Sequence, residues 1–203
     1  YAKWSAPKSY TVQYSLNDAA PAGHPAVNPN TVTSYTVLDS NVTLAPATRT
    51  GYDFEGWYDN AAFSGSPITG FSASDAANKH YYAKWSAAKS YTVNWHLNDS
   101  TPAGHPATNP NTVASYTVLD SDVTIQPATR TGFSFLGWYD NPGFTGTPVT
   151  TLRTMDAANK NYYAKWDATP ISYPINYVLN DGSPAGHAAS NPVANLTSYT
   201  VLT

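Results

Sequence analysis

The sequence predicts small, mainly β domains in a tandem repeat array, and two observations support this. The tetrapeptide YAKW ends at Trp4, Trp85 and Trp166, and the segments Ser5–Trp85 and Ser86–Trp166 align without gaps. Within each segment, apolar residues alternate with polar ones over several short stretches, which is typical of half-buried β-strands. The recurrence of one pattern at a fixed period indicates a repeat architecture.

The repeat pattern predicts four segments. Residues 1–4 are expected to be the end of a preceding repeat, residues 5–85 and 86–166 two whole repeats, and residues 167–203 the first part of a third repeat. Each whole repeat is long enough to fold as one small domain. Since only a few residues separate the repeats, we expect the chain to be a section of a longer, stiff array in which neighbouring repeats are each other's partners.

The first predicted element is a strand that begins each repeat. In YTVQYSL the larger apolar side chains fall on one face and Thr11, Gln13 and Ser15 on the other. The apolar face consists of Tyr10, Val12, Tyr14 and Leu16. This alternation predicts a strand with one buried face.

Five further elements follow in each repeat, four strands and one helical turn. Short β-branched segments predict strands at Ser34–Asp39 and Val42–Pro46. The segment Gly51–Asp59 is predicted to place Tyr52, Phe54 and Tyr58 on one side and Trp57 on the other. The segment HYYAKW is predicted to close the unit, with Tyr81, Ala83 and Trp85 opposite Tyr82 and Lys84. The segment Ser74–Lys79 is the one helical turn predicted, with Ser74 or Asp75 as its N-cap.

Composition excludes several classes of protein. The chain has no cysteine, so it has neither disulfides nor thiolate metal sites. Its aromatic content of 14% is too high for a disordered chain. A net charge of -3 provides no basic face for nucleic acid, and no apolar run is long enough for membrane insertion.

Two motifs in each whole repeat resemble a known family. GYDFEGWYDN followed by YYAKW, and GFSFLGWYDN followed by YYAKW, resemble the Listeria–Bacteroides repeat, of the same broad group as the B-repeat of Listeria internalins. The resemblance implies an α+β, β-grasp-like module arranged in tandem on bacterial surface proteins, between an anchor and a binding tip. The connection at residues 17–33 is longer than the family normally has.

This connection is a candidate site for chemistry. The sequence PAGH recurs at Pro21–His24, Pro102–His105 and Pro184–His187, each time after Asn-Asp. One interpretation is a metal or polar-ligand site formed by Asp18, His24 and Asn28. One histidine and one carboxylate fall short of the three or four ligands that a metal site requires. We therefore expect a structured loop and no cofactor, and His24 and His105 remain candidates for ligand binding only.

The other candidate residues are aromatic or lysine. Trp57 and Trp138 are either a platform for sugar rings or core residues, and the small size of the domain favours the core. Lys84 and Lys165 are candidates for an intramolecular isopeptide bond with an asparagine, but alternation places them on the exposed face, where a solvated lysine is the simpler interpretation.

The sequence favours a structural function. The single glutamate, Glu55, corresponds to Leu136 in the second repeat, and no nucleophile motif or phosphate loop occurs, so we predict that the protein is not an enzyme. We predict a stalk of a bacterial cell-surface adhesin, extracellular or attached to the cell wall, that projects a distal binding domain. The alternative is a repeated low-affinity module for host glycans or proteins that acts through avidity.

Overall fold

The computed structural model describes residues 1–179, 189–191 and 195–202. The first repeat contains β1 (Tyr10–Ser15), β2 (Ala26–Val27), β3 (Ser34–Tyr35), β4 (Val42–Thr43), β5 (Thr48–Arg49), β6 (Phe54–Tyr58), β7 (Gly70–Phe71), the 3-10 helix η1 (Ala73–Asp75) and β8 (Lys79–Trp85). The second repeat contains β9 (Tyr91–His96), β10 (Ala107–Thr108), β11 (Ser115–Tyr116), β12 (Val123–Thr124), β13 (Thr129–Arg130), β14 (Phe135–Tyr139), β15 (Thr151–Leu152), η2 (Thr154–Asp156) and β16 (Lys160–Trp166). The third, partial copy contains β17 (Tyr173–Pro174) and β18 (Ser198–Tyr199). The predicted mainly β chain with tandem repeats is confirmed.

The first repeat is built around a four-stranded sheet. Its strand order is β3-β1-β8-β6, with β1 and β8 parallel and the outer pairs antiparallel. Two small antiparallel pairs, β2 with β5 and β4 with β7, complete the repeat. The second repeat has the corresponding order β11-β9-β16-β14. The first and last strands of a repeat can lie parallel because the intervening residues form a long crossover connection.

The face predicted for the first strand is confirmed. Val12 is buried, and Tyr10, Tyr14 and Leu16 pack against the same core, whereas Thr11 and Gln13 of the opposite face are exposed. In β8 the alternation also holds, since Tyr81 and Ala83 are buried and Trp85 packs on the core. The buried core of the first repeat consists of Val12, Tyr35, Leu44, Ala47, Trp57, Phe71, Ala73, Tyr81 and Ala83.

The predicted faces of β6 are wrong because the strand contains a bulge. Phe54 lies opposite Trp85 and Gly56 opposite Lys84, so one extra residue is inserted between them. Gly56 takes φ +131°, a conformation that glycine adopts readily. The extra residue reverses the alternation. Trp57 therefore shares the core face with Phe54, at 5.4 Å between ring centroids.

Three other predicted elements need correction. The helical turn is the 3-10 segment Ala73–Asp75, capped by the Ser72 hydroxyl and ended by Ala76 at φ 52°. The predicted strands at Ser34–Asp39 and Val42–Pro46 shorten to β3 and β4. The amide and the hydroxyl of Thr36 both donate to the Asp39 carboxylate, and these hydrogen bonds hold residues 36–39 in a turn instead.

The chain forms two compact units that do not follow the repeat boundaries. The first comprises Tyr1–Tyr91, Ser115–Asp122 and Arg153–Ala158, and the second comprises Thr92–Ala114, Val123–Leu152 and Asn159–Thr203. The first unit therefore includes two segments that belong, by sequence, to the second repeat. In the described part of the chain, no helix is long and apolar enough to cross a membrane.

Candidate functional site

The long connection after β1 is fixed by a buried arginine. Arg49 donates from Nε to the carbonyl oxygen of His24 at 2.9 Å, and from Nη2 to those of Ala20 at 3.2 Å and Pro21 at 3.3 Å. Its guanidinium carbon lies 4.2 Å from the ring centroid of Tyr52. Pairing of β5 with β2 places the arginine there, since Ala26 lies opposite Arg49. Several carbonyl acceptors and an aromatic face compensate for burial of the charge.

The second repeat contains the same arrangement. Arg130 donates to the carbonyl oxygens of His105 at 2.8 Å and Pro102 at 3.0 Å and lies 4.3 Å from the ring centroid of Phe133. Sequence reasoning missed this arginine. The signal was the segment PATRTG, which is identical at residues 46–51 and 127–132.

The polar residues of the loop bind backbone groups. Asp18 accepts a hydrogen bond from the Ala26 amide at 2.6 Å, and Asn28 accepts one from the Asn30 amide at 3.0 Å. The buried ring of His24 meets Tyr52 edge-on at 6.1 Å between ring centroids. Among the described residues, no three His, Cys, Asp or Glu side chains come together as metal ligands would. The third loop, Pro184–His187, lies outside the described residues.

The candidate tryptophans lie in the core. Trp57 is 1% exposed and Trp138 is 2% exposed. The Nε1 of Trp57 donates to the Ala45 carbonyl oxygen at 2.9 Å, and that of Trp138 to the Gln126 carbonyl oxygen at 2.8 Å. Both indole rings are therefore almost wholly covered by the surrounding protein.

The candidate lysines lie on the outer face of the sheet. The Nζ of Lys84 is 3.0 Å from Oε2 of Glu55, and this hydrogen bond raises the pKa of Lys84 above its ordinary value. Lys165 lacks that carboxylate and lies 5.2 Å from the ring centroid of Tyr139. The side-chain amides of Asn17 and Asn98 instead donate to the carbonyl oxygens of Ala83 and Ala164, each at 2.9 Å.

A close contact connects successive repeats. Val118 is 3% exposed and packs on Gly51 so closely that a Cβ added to this glycine would lie 2.4 Å from Val118 Cγ2. Gly51 has φ +80° in a turn closed by the Tyr52 amide and the Arg49 carbonyl oxygen. Its own carbonyl oxygen accepts a hydrogen bond from the Lys89 amide at 2.8 Å. Only glycine fits here, for reasons of both space and backbone conformation. We call Gly51 and its equivalents the notch.

The same contact recurs one repeat later. A Cβ on Gly132, at φ +78°, would lie 2.3 Å from Cγ1 of Val201. The carbonyl oxygen of Gly132 accepts a hydrogen bond from the Ile171 amide at 2.8 Å. The contact between a notch glycine and the valine of the following repeat therefore recurs along the chain.

A hydrogen-bonded turn presents the valine. The Asp120 carboxylate accepts from the Thr117 amide at 2.7 Å and from the Thr117 hydroxyl at 3.0 Å, and the Leu119 amide donates to that hydroxyl oxygen at 3.2 Å. These bonds fix the backbone on both sides of Val118. We call the valine and leucine of this turn the plug.

An open groove lies beside each notch. The groove of the first unit has a volume of about 520 Å³ and is lined by residues that include Asn17, Pro21, Tyr52, Phe63, Trp85 and Leu119. The groove of the second unit has a volume of about 420 Å³ and is lined by residues that include Asn98, Pro102, Phe133, Phe144 and Trp166. The arginine that fixes the loop also lines each groove.

Comparison with known proteins gives one result. The family model of the Listeria-Bacteroides repeat domain matches the chain twice, over residues 10–84 and 91–165. No curated protein and no solved structure matches the chain.

Proposed function

The chain belongs to the Listeria-Bacteroides repeat domain family, and on that premise we propose that it is a spacer of a bacterial cell-surface adhesin, extracellular or attached to the cell wall. In this role it holds a distal binding domain away from the cell and carries out no catalysis.

The contact between notch and plug is the observation that carries this proposal. A spacer needs contacts between successive repeats as well as within each repeat, because a flexible linker alone does not fix the distance between the repeats that it joins. Val118 on Gly51 and Val201 on Gly132 are two instances of one such contact. Each is accompanied by a backbone hydrogen bond from the linker to the notch glycine.

We further propose that each repeat is a β-grasp-like module, with α+β character limited to its short 3-10 turn. The sheet order β3-β1-β8-β6, with parallel β1 and β8 at its centre, supports this assignment. When the two ends of such a repeat are pulled apart, the hydrogen bonds between β1 and β8 bear the force at the same time, because both strands run in the same direction. That arrangement suits a spacer under tension.

Small-angle scattering tests the spacer. The chain is compared with chains lengthened by one and by two further copies of Ser86–Trp166, inserted after Trp166. We expect the maximum dimension to grow by on the order of 30–40 Å with each copy, the size of one small domain. A maximum dimension that stays constant as copies are added would contradict the proposal.

The grooves support a second candidate function, a repeated low-affinity module for host glycans or proteins. Each groove offers partly exposed aromatic side chains beside a side-chain amide, and its recurrence in both repeats suits binding through avidity. A glycan array probed with the intact chain and with a Lys84→Ala, Lys165→Ala variant tests this idea, because both lysines line the grooves. Signal on the array that weakens in the variant would favour it, and absence of signal would reject glycan binding.

A further inference from the structure

The valine and leucine of the plug in the first repeat are more exposed than those of the second repeat. Val37 occupies the position of Val118, but it is 44% exposed where Val118 is 3% exposed. Leu38, which occupies the position of Leu119, is 78% exposed, whereas Leu119 is 52% exposed. The two copies have the same local sequence, SYTVLDS, so local sequence does not explain the difference.

The exposed plug is nevertheless held in the docked conformation. The Asp39 carboxylate accepts from the Thr36 amide at 2.6 Å and from the Thr36 hydroxyl at 3.0 Å, and the Leu38 amide donates to that hydroxyl oxygen at 3.3 Å. These are the bonds that hold Thr117–Asp120 in the second repeat. The turn is thus already ordered before anything covers it, which lowers the conformational cost of docking.

We infer that Val37 and Leu38 form a docking surface for the glycine notch of another repeat of this family, joined on the amino-terminal side in the same chain. This inference rests on the proposed spacer function and names the surface through which the array continues. In both occupied contacts the notch lies one repeat before the plug, and the short linker between them is bonded to the notch glycine. The tetrapeptide Tyr1–Trp4, identical to Tyr82–Trp85, precedes the first repeat as it precedes the second.

The chemistry of the partner follows from the occupied contacts. It must present a glycine at positive φ with no side chain above it, because a Cβ would lie on the valine methyl groups. It must also leave that glycine's carbonyl oxygen free to accept a hydrogen bond from the linker, as Gly51 does for Lys89. The turn Arg-Thr-Gly of these repeats meets both conditions.

Single cysteines can report whether the plug is covered, because the chain contains none of its own. The variants Val37→Cys and Val118→Cys are each made in the 203-residue chain, and the rate of reaction with a maleimide is measured. We expect the cysteine at position 37 to react rapidly and the one at position 118 slowly. Val37→Cys is then made in a chain with an added copy of Ser5–Trp85 inserted between Trp4 and Ser5. We expect its reaction to slow about tenfold or more, from the burial of one valine-sized side chain.

A matched pair of substitutions in the added copy controls for stability. Replacing its equivalent of Gly51 by alanine blocks the notch, and we expect the reactivity of position 37 to return to that of the unextended chain. Replacing its equivalent of Gly65 by alanine imposes similar backbone strain, at φ +84° against +80°, but meets no atom within 4 Å. This control is expected to leave position 37 protected.

The outcomes separate the inference from the spacer function. If position 37 stays reactive in the extended chain while scattering shows that the chain has lengthened, the docking inference is wrong and the spacer stands. If the chain does not lengthen, the spacer function itself fails. Protection that instead appears in the 203-residue chain and rises with protein concentration would show association between molecules, and would overturn the assignment to a repeat of the same chain.

Discussion

Arg49 and His24, from elements far apart in the sequence, are joined by a hydrogen bond of 2.9 Å from the guanidinium Nε to the backbone carbonyl oxygen. The arginine is buried and reaches further carbonyl oxygens of the same loop. The loop that contains His24 is therefore anchored by a buried charge.

We expect Arg49→Met to destabilise the first repeat. The substitution leaves several loop carbonyl groups without a donor, and we expect a loss of about 2 kcal/mol or more, since hydrogen bonds to charged groups contribute roughly 1.5–3 kcal/mol. Urea denaturation followed by tryptophan fluorescence measures the change. Arg153→Met, at an exposed arginine, is the control and is expected to have little effect. Equal effects of the two substitutions would contradict the role of Arg49.

We expect Gly51→Ala to be more harmful than Gly65→Ala. Both place a Cβ at positive φ, which costs about 1–2 kcal/mol. Only the Cβ at position 51 also meets Val118, at 2.4 Å. Thermal denaturation of the two variants measures the difference, and a methyl NMR spectrum shows whether the environment of Val118 changes. Identical melting temperatures together with unchanged Val118 signals would refute the contact.

We expect Tyr14→Phe and Tyr35→Phe to have opposite effects on stability. The Tyr14 hydroxyl is buried and has no hydrogen-bond partner among the described residues, so removing it should stabilise by up to about 1 kcal/mol. The Tyr35 hydroxyl donates to the Ala77 carbonyl oxygen at 2.6 Å, so removing it should cost about 1 kcal/mol or more. Urea denaturation of both variants checks the signs. Destabilisation by Tyr14→Phe would contradict the finding that the Tyr14 hydroxyl is buried without a hydrogen-bond partner among the described residues.

We expect the first repeat to lose stability at alkaline pH. Burial raises the pKa of Tyr14 and of Tyr81 above the ordinary value of 10.0. The pKa of each tyrosine is therefore higher in the folded state than in the unfolded state. Its contribution to the free energy of unfolding is complete below about pH 10 and is lost as the pH rises through the folded pKa. Melting temperatures measured between pH 8 and 11 should fall less steeply for Tyr14→Phe than for the unaltered chain. Parallel curves would contradict the prediction.

We expect Trp57→Ala to unfold the first repeat. The side chain is buried against Tyr14 and Phe54, and removal of a buried tryptophan costs about 3–5 kcal/mol, a large part of the stability of a small domain. Circular dichroism and denaturation measure the loss. Trp4→Ala, at a tryptophan that is 89% exposed, serves as the control. A Trp57→Ala variant that kept its stability but lost binding to a glycan would instead support the platform.

The sequence alone determined the features that depend on local periodicity. The tandem repeat followed from the gap-free alignment of Ser5–Trp85 with Ser86–Trp166. The opening strand, with Val12 and Tyr14 on its buried face, and the closing strand, with Tyr81 and Ala83 inside, followed from alternation with a period of two. The motifs of the second half of each repeat were sufficient to identify the family. The strands are visible because each depends on residues that are close together in the chain, and the repeat is visible because two whole segments align.

The tertiary structure alone decided which distant residues meet. A one-residue bulge at Gly56 moved Trp57 to the core face, and alternation carries no record of where a bulge is inserted. The recurring arginine and glycine of PATRTG were visible as letters, but their partners, the loop carbonyl groups and Val118, lie in other elements. Val37 is exposed and Val118 is buried, although the two lie in the same local sequence. They differ only in the neighbour that folding brings to them, so local sequence did not determine their burial.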